Sequence, residues 1–275
     1  MLPILLDLKI VKIYTFGVFL VLALFWGLFW LWKNLKRTSF KEDQVFDIVF
    51  LSLIGGFIAA RLAFVATHFD NFGFDLLKFI LINGYPGLSL PGFLVGGFLT
   101  LALIARLARL PFFELAAYLI PSLFLALGIG KVGAFFAGTT VGSVTAFPLH
   151  VRYVGFEGLR HITALYEAIF MFVGFALSQR LLMNYRRDSI NESSILSFFI
   201  IVASFSKLIL DNFKEDIVYF SGLRVTVIVS FVLFVILSIT ELVRYRSSLT
   251  EKVRSLLNTR AKNHGKKISS YENTA

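Results

Sequence analysis

The sequence predicts an all-α polytopic membrane protein with seven transmembrane helices, on two observations. Of the 275 residues, 57% are hydrophobic and only 16% are charged, with 32 Phe and a mean hydropathy of +0.79. A soluble globular protein carries about 25% charged residues. The second observation is that seven separate stretches reach the ~20 apolar residues a helix needs to cross the hydrocarbon core. The chain has no cysteine, which excludes a disulfide framework, a thiolate metal site and a cysteine nucleophile. Four His make no His-rich metal centre, and neither metal nor cofactor is expected. The net charge of +10 reports topology in such a chain, and no nucleic-acid partner is expected.

The expected spans run at about 13–32, 45–67, 88–107, 113–136, 162–180, 194–213 and 223–243. The first is too long for a signal peptide, lacks a small-residue cleavage site and leads into further spans, so it is expected to be a retained helix. The second holds Gly55-Gly56 and Ala59-Ala60, small residues that let a neighbouring helix approach closely. The third begins beyond an apolar run, Leu76 to Ile82, that is too short to span and is closed by Asn83-Gly84-Tyr85-Pro86-Gly87. That run is expected to lie along the interface or to re-enter. The fourth span ends in a glycine-rich run, the fifth opens on Arg160-His161, the sixth closes on Lys207, Asp211 and Lys214, and the seventh leads into a basic tail.

Lys and Arg set the orientation. Seventeen lie on the side that holds the 33–41, 106–109 and 180–187 connections and the tail, and seven lie on the other. The N-terminus is therefore expected outside and the C-terminus in the cytoplasm. The expected organisation is a seven-helix membrane domain over 1–243 and a basic cytoplasmic tail over 244–275, the latter near anionic lipid heads. No internal repeat is evident, which argues against an inverted-repeat transporter.

An ionisable side chain inside a span is a functional candidate, because burying it in hydrocarbon costs several kcal/mol without a partner. Arg61 follows the small residues of the second span. It reads either as a structural Arg or as a phosphate ligand, since guanidinium binds phosphate bidentately. Lys131 stands in Gly128-Ile129-Gly130-Lys131-Val132-Gly133, with Gly138 and Gly142 beyond. The glycines offer a backbone able to bend around a ligand, and Lys131 suits an anionic headgroup or simply snorkels to the interface. In Arg160-His161-Ile162-Thr163-Ala164-Leu165-Tyr166-Glu167, Arg160 and His161 cap the fifth span, with Tyr166 and Glu167 a turn and a half deeper. Glu167 requires a cationic partner, Lys131 or Arg61, and reads either as catalytic or as a charge that holds helices together. Lys207, Asp211 and Lys214 are spaced by four and three, which puts them on one helical face.

These pieces, in this order, resemble the bacterial prolipoprotein diacylglyceryl transferase family over roughly residues 10–243. Ile13-Tyr14-Thr15-Phe16-Gly17 looks like its first-helix Tyr-Gly, and Gly56 to Leu62 is similar to its Gly-Ala-Arg-Leu-Gly segment. Pro86 to Gly92, with Gly96-Gly97, looks like its Gly-Leu-Ser-Phe-His-Gly-Gly stretch, and Gly130 to Gly142 matches the family signature in spacing. Arg160-His161 with Leu165-Tyr166-Glu167 is similar to its Arg-His-Pro-x-Gln-Leu-Tyr-Glu, the most specific of the motifs. The resemblance implies seven helices in a bacterial inner membrane. It also implies transfer of a diacylglyceryl group from phosphatidylglycerol to the lipobox cysteine of a preprolipoprotein signal peptide. The implied site has His161, Glu167 and Tyr166 in catalysis. Lys131, Arg61, Gly133, Gly142, Arg160 and Lys214 would bind substrate.

The chain departs from the family pattern at several positions. Lys131 and Ala134 stand for the signature's Arg and Asn, Thr139 for its acid, Pro91 for the third-helix His and Phe16 for the first-helix Tyr. Lys207, Asp211 and Lys214 stand for Arg, Glu and Arg. Lys retains the charge and loses the bidentate fork. The missing polar groups motivate the alternative of an inactive relative that binds lipid or signal peptides. Hydropathy alone would also allow a small-solute transporter or channel.

Overall fold

The computed structural model of the chain describes residues 2–7, 12–36, 38–81, 84–215 and 227–246. The tail expected beyond residue 246, and the stretch 223–226 expected to open the seventh span, lie outside the described residues. A short hairpin, β1 (Ile4–Asp7) paired antiparallel with β2 (Lys12–Tyr14), precedes the first long helix. Then come α1 (Thr15–Leu35), α2 (Glu42–Thr67), two short helices α3 (Phe69–Phe72) and α4 (Leu76–Ile80), α5 (Leu90–Leu107) and α6 (Phe112–Ala137). A second two-stranded piece, β3 (His150–Val151) with β4 (Arg160–His161), leads into α7 (Thr163–Tyr185) and α8 (Glu192–Leu210). A 3-10 turn (Asp211–Phe213) follows, and α9 covers Val227–Arg246. Seven of these helices are long and apolar enough to cross a membrane, as expected, so this is a multi-pass membrane protein. Two short strand pairs accompany the helices and leave the all-α class unchanged. They are too short to register as a hydropathy pattern, and they arise before the first span and in the connection between α6 and α7, where backbone outside the spans must pair its own groups.

The helix ends follow local chemistry. Ser89 caps α5 by accepting from the Gly92 N–H, with Pro91 at the start of the helix, where a missing N–H leaves nothing unpaired. Pro91, the residue in place of a family His, is thus used here as a helix starter. Asp75 caps α4 by accepting from the N–H groups of Leu77 (3.0 Å) and Lys78 (3.4 Å). Gly138 ends α6 in the left-handed region at φ 72, where glycine carries no Cβ penalty.

α6 is the axis of the bundle. α1, α7 and α8 pack along it, and α2 and α5 form a closely packed pair beside it. Its Leu115, Ala116, Ala117, Ile120 and Phe124 are buried together with Leu31 and Leu35 of α1, Leu182 of α7 and Phe199 of α8. Pro121 inside α6 removes one helical N–H, which a span tolerates when it is buried against neighbours. Between α2 and α5 the backbones approach so closely that a Cβ on Gly96 would lie 2.0 Å from that of Ala59. This is the tight small-residue contact membrane helices use in place of a hydrophobic driving force.

Candidate functional site

The charged side chains of three separated sequence regions meet where α6, α7 and the end of α8 converge. Lys131 on α6 pairs through its Nζ with Glu167 Oε2 of α7 at 2.5 Å. Lys214 Nζ donates to Glu167 Oε1 and to Asp211 Oδ1, each at 2.7 Å. Lys207 on α8 lies 3.8 Å from the other oxygen of Asp211. The cluster therefore sets three ammonium groups against two carboxylates and carries a surplus positive charge. The Glu167 side chain is only 4% exposed, while that of Lys131 is 19% exposed, so the cations, not the acid, face the open side.

Glu167 was expected to pair with Lys131 or Arg61. The structure brings Lys131 and Lys214 to it, and Arg61 is occupied elsewhere. Buried in α2, Arg61 donates from Nε to the Phe79 carbonyl (2.9 Å) and from Nη2 to that of Lys78 (2.7 Å). Its Nη1 donates to those of Tyr85 (2.8 Å) and Gly87 (2.9 Å). Its guanidinium holds α4 and the turn before α5 against the end of α2. The short apolar run neither spans nor floats: Arg61 saturates the carbonyls that its irregular backbone would otherwise leave bare.

Lys207, Asp211 and Lys214 also meet, though not on one helical face. α8 ends at Leu210, and Lys214 lies in extended backbone (φ −95, ψ 151). There it forms an antiparallel bridge with Gly142. Glu215 N–H donates to the Val141 carbonyl (3.3 Å), and Ser143 N–H donates to that of Phe213 (2.8 Å). The opposite edge of the 141–145 segment pairs with 159–161, the His161 N–H donating to the Ser143 carbonyl at 3.1 Å. A Cβ on Gly142 would lie 2.2 Å from the His161 carbonyl oxygen, so this backbone approach requires glycine. Gly133 has a packing place too, since its Cβ would lie 2.3 Å from that of Phe19 on α1. The glycine-rich run expected to bend around a ligand is a continuous α6 helix up to Ala137; Gly133 and Gly142 lie at close contacts, while Gly130 faces open space.

His161 sits over this small sheet, its ring 4.8 Å from that of Phe213 and close to Phe147 and Tyr166. Its Nδ1 is buried with no hydrogen-bond partner among the described residues. Burial lowers its pKa below the ordinary imidazole value of 6.5, so the ring is neutral at neutral pH and free to accept a proton. For Lys214, burial pulls its pKa down while Glu167 and Asp211 pull it up, and the carboxylates prevail. Tyr166 donates its hydroxyl to the Leu149 carbonyl at 2.9 Å and ties down the loop above His161. Arg160 is buried, donates from Nη1 to the Gly142 carbonyl (3.0 Å) and pairs with Glu215.

Sequence reasoning passed over Glu215 and gave Asp211 no place in the site. The spacing of Asp211 from two lysines was its one signal; nothing in the sequence pointed to Glu215. Among the described residues no group of His, Asp and Glu is arranged to hold a metal ion. Chemically, the cluster offers a cationic face for an anion, and against the Phe213 ring lies the His161 imidazole, its Nδ1 without a partner among the described residues.

Comparison with known proteins gives a consistent result. Residues 3–243 match the family model described as prolipoprotein diacylglyceryl transferase. Relatives that carry the name phosphatidylglycerol–prolipoprotein diacylglyceryl transferase include the following three. That of Staphylococcus haemolyticus (strain JCSC1435) is 27% identical over 255 residues, covering 88% of this chain and 88% of the relative. That of Streptococcus sanguinis (strain SK36) is 27% identical over 84% of this chain and 91% of the relative. That of Staphylococcus aureus (strain Newman) is 27% identical over 92% and 94%.

Proposed function

The chain belongs to the prolipoprotein diacylglyceryl transferase family, and from that premise we propose that it is a transferase acting on phosphatidylglycerol and a prolipoprotein. It moves the diacylglyceryl group onto the thiol of the lipobox cysteine, at the outer face of a bacterial inner membrane, with its N-terminus outside. The nucleophile is the substrate's sulfur, which suits an enzyme without cysteine. A sulfur–carbon bond forms at the terminal glyceryl carbon. The carbon–oxygen bond to phosphate breaks, and glycerol phosphate leaves with the bonding pair.

The observation that supports this reading is the surplus of ammonium over carboxylate at Lys131, Glu167, Lys214, Asp211 and Lys207. Lys131 and Lys214 attract the lipid phosphate and stabilise the charge that grows on it as glycerol phosphate departs. That interaction is strong in a site shielded from water. Glu167 holds both lysines at a fixed separation and keeps them from repelling each other before substrate arrives. His161 takes the thiol proton, its neutral ring being the available base. Arg61, Arg160, Gly133 and Gly142 serve by holding the backbone that carries these groups, and Tyr166 by fixing the loop over His161. A strain depleted of its own transferase tests the activity. Expression of this chain should restore growth and lipoprotein lipidation; a folded, membrane-inserted protein that restores neither overturns the proposal.

The imidazole gives a pH signature. With its pKa held below 6.5 by burial, kcat/KM should stay flat through neutral pH. It should fall only in acid below the ordinary imidazole range, where His161 takes up a proton and can no longer accept one. Steady-state rates from pH 5 to 8 check this. An acid limb centred above 6.5, or an identical limb in His161→Asn, contradicts the role.

A further inference from the structure

We propose that Arg160 and Glu215 form a latch that positions Lys214 against Glu167, an inference that rests on the transferase reading above. α8 stops at Leu210, so Lys214 reaches the site from a strand-like segment and not from a rigid helix. Successive residues of such a segment point to opposite faces. Lys214 turns one way, to Glu167 and Asp211, and Glu215 turns the other, to Arg160.

Arg160 is fixed from every side. It is buried, its Nε donates to the Glu157 carbonyl at 3.1 Å and its Nη1 to that of Gly142 at 3.0 Å. The Phe156 ring lies 5.0 Å from its guanidinium. The carboxylate of Glu215 completes the set, so one guanidinium joins the 141–145 segment, the 156–160 turn and the segment that carries Lys214. Without it, the segment is held to the 141–143 edge, among the described residues, by two backbone hydrogen bonds and the Ser143 hydroxyl on the Phe213 carbonyl, at the end of a helix, where fraying is easy. A long lysine side chain ordered from a loose base loses several rotamers on engagement. The latch removes that loss in advance. Arg160 and Glu215 touch no reacting atom and act through Lys214; they are positioning residues.

Glu215→Gln keeps the side-chain volume and removes the charge. Transfer from phosphatidylglycerol vesicles to a lipobox peptide should fall about ten-fold in kcat/KM, within the usual coupling range for residues of one network. Arg160→Gln should fall at least as far. In a Lys214→Met background Glu215→Gln should add nothing, because the lysine it positions is gone; a purely structural role would multiply the two losses. Lys214 should also be acetylated several-fold faster in the full-length Glu215→Gln protein than in the wild type, read by peptide mass spectrometry after treatment with an N-hydroxysuccinimide ester. Full transfer by Glu215→Gln, multiplied losses or unchanged labelling overturns the latch. A wild-type protein that folds and transfers nothing overturns the transferase reading instead, and the labelling of Lys214 then still decides the latch.

Discussion

Glu167→Ala should yield a protein that no longer transfers and that unfolds far more readily than the wild type. The carboxylate is almost fully buried and pairs with two ammonium groups, at 2.5 Å and 2.7 Å. Removing one partner from a buried ion pair typically costs 3–5 kcal/mol, about the range expected here, because the remaining charge stays desolvated and uncompensated. Here Lys131 would be left without its carboxylate, beside a Lys214 still paired with Asp211. Adding Lys131→Met should therefore recover stability, since it removes that charge, yet should not recover transfer. Thermal unfolding in detergent, followed by size-exclusion fluorescence, distinguishes the cases. Equal stability of Glu167→Ala and the wild type would mean that the two lysines do not depend on it.

The second large effect is expected at Arg61, whose hydrogen bonds go to backbone carbonyls and not to the charged cluster. Four hydrogen bonds from one guanidinium hold the carbonyls of Lys78, Phe79, Tyr85 and Gly87. A buried carbonyl left without a donor costs roughly 1–3 kcal/mol, and lipid offers no substitute. Arg61→Ala should release α4 and the turn before α5, read as a several-fold rise in amide exchange across 74–81 and a lowered unfolding temperature. Arg61→Lys should recover little, because one ammonium cannot reproduce the planar fork. Unchanged exchange over this segment in Arg61→Ala would refute the anchoring role.

How far the fold was legible follows from the kind of force involved. Hydropathy reports burial in lipid directly, so all seven spans stood out. Where an edge moved, the cause is visible. The fifth span was expected to end at about 180 and runs to Tyr185, because Gln179 and Arg180 depress hydropathy without breaking a helix. The short run before the third span was legible as too short to cross. Its anchor was not, because Arg61 binds backbone carbonyls 17 to 26 residues away, and a carbonyl has no sequence signature. Lys131 and Glu167 were legible as charges in grease that require partners. The second partner was not, since Lys214 stands 47 residues from Glu167 and is brought there by backbone pairing with Gly142. The glycines around Lys131 read as backbone able to bend around a ligand, but glycine permits close packing equally, and Gly133 stands against Phe19 in that way. Glu215 gave no signal, being an ordinary polar residue until Arg160 is placed beside it.

The most direct test of the central claim is transfer of labelled diacylglyceryl from phosphatidylglycerol vesicles to a lipobox peptide, with a Cys-to-Ser peptide as control. The purified protein is expected to label only the cysteine peptide, to release glycerol phosphate in equal amount and to lose this activity in a folded Lys131→Ala variant. No labelling by the folded wild-type protein, or full labelling by Lys131→Ala, would contradict a transferase whose phosphate site is built on that lysine.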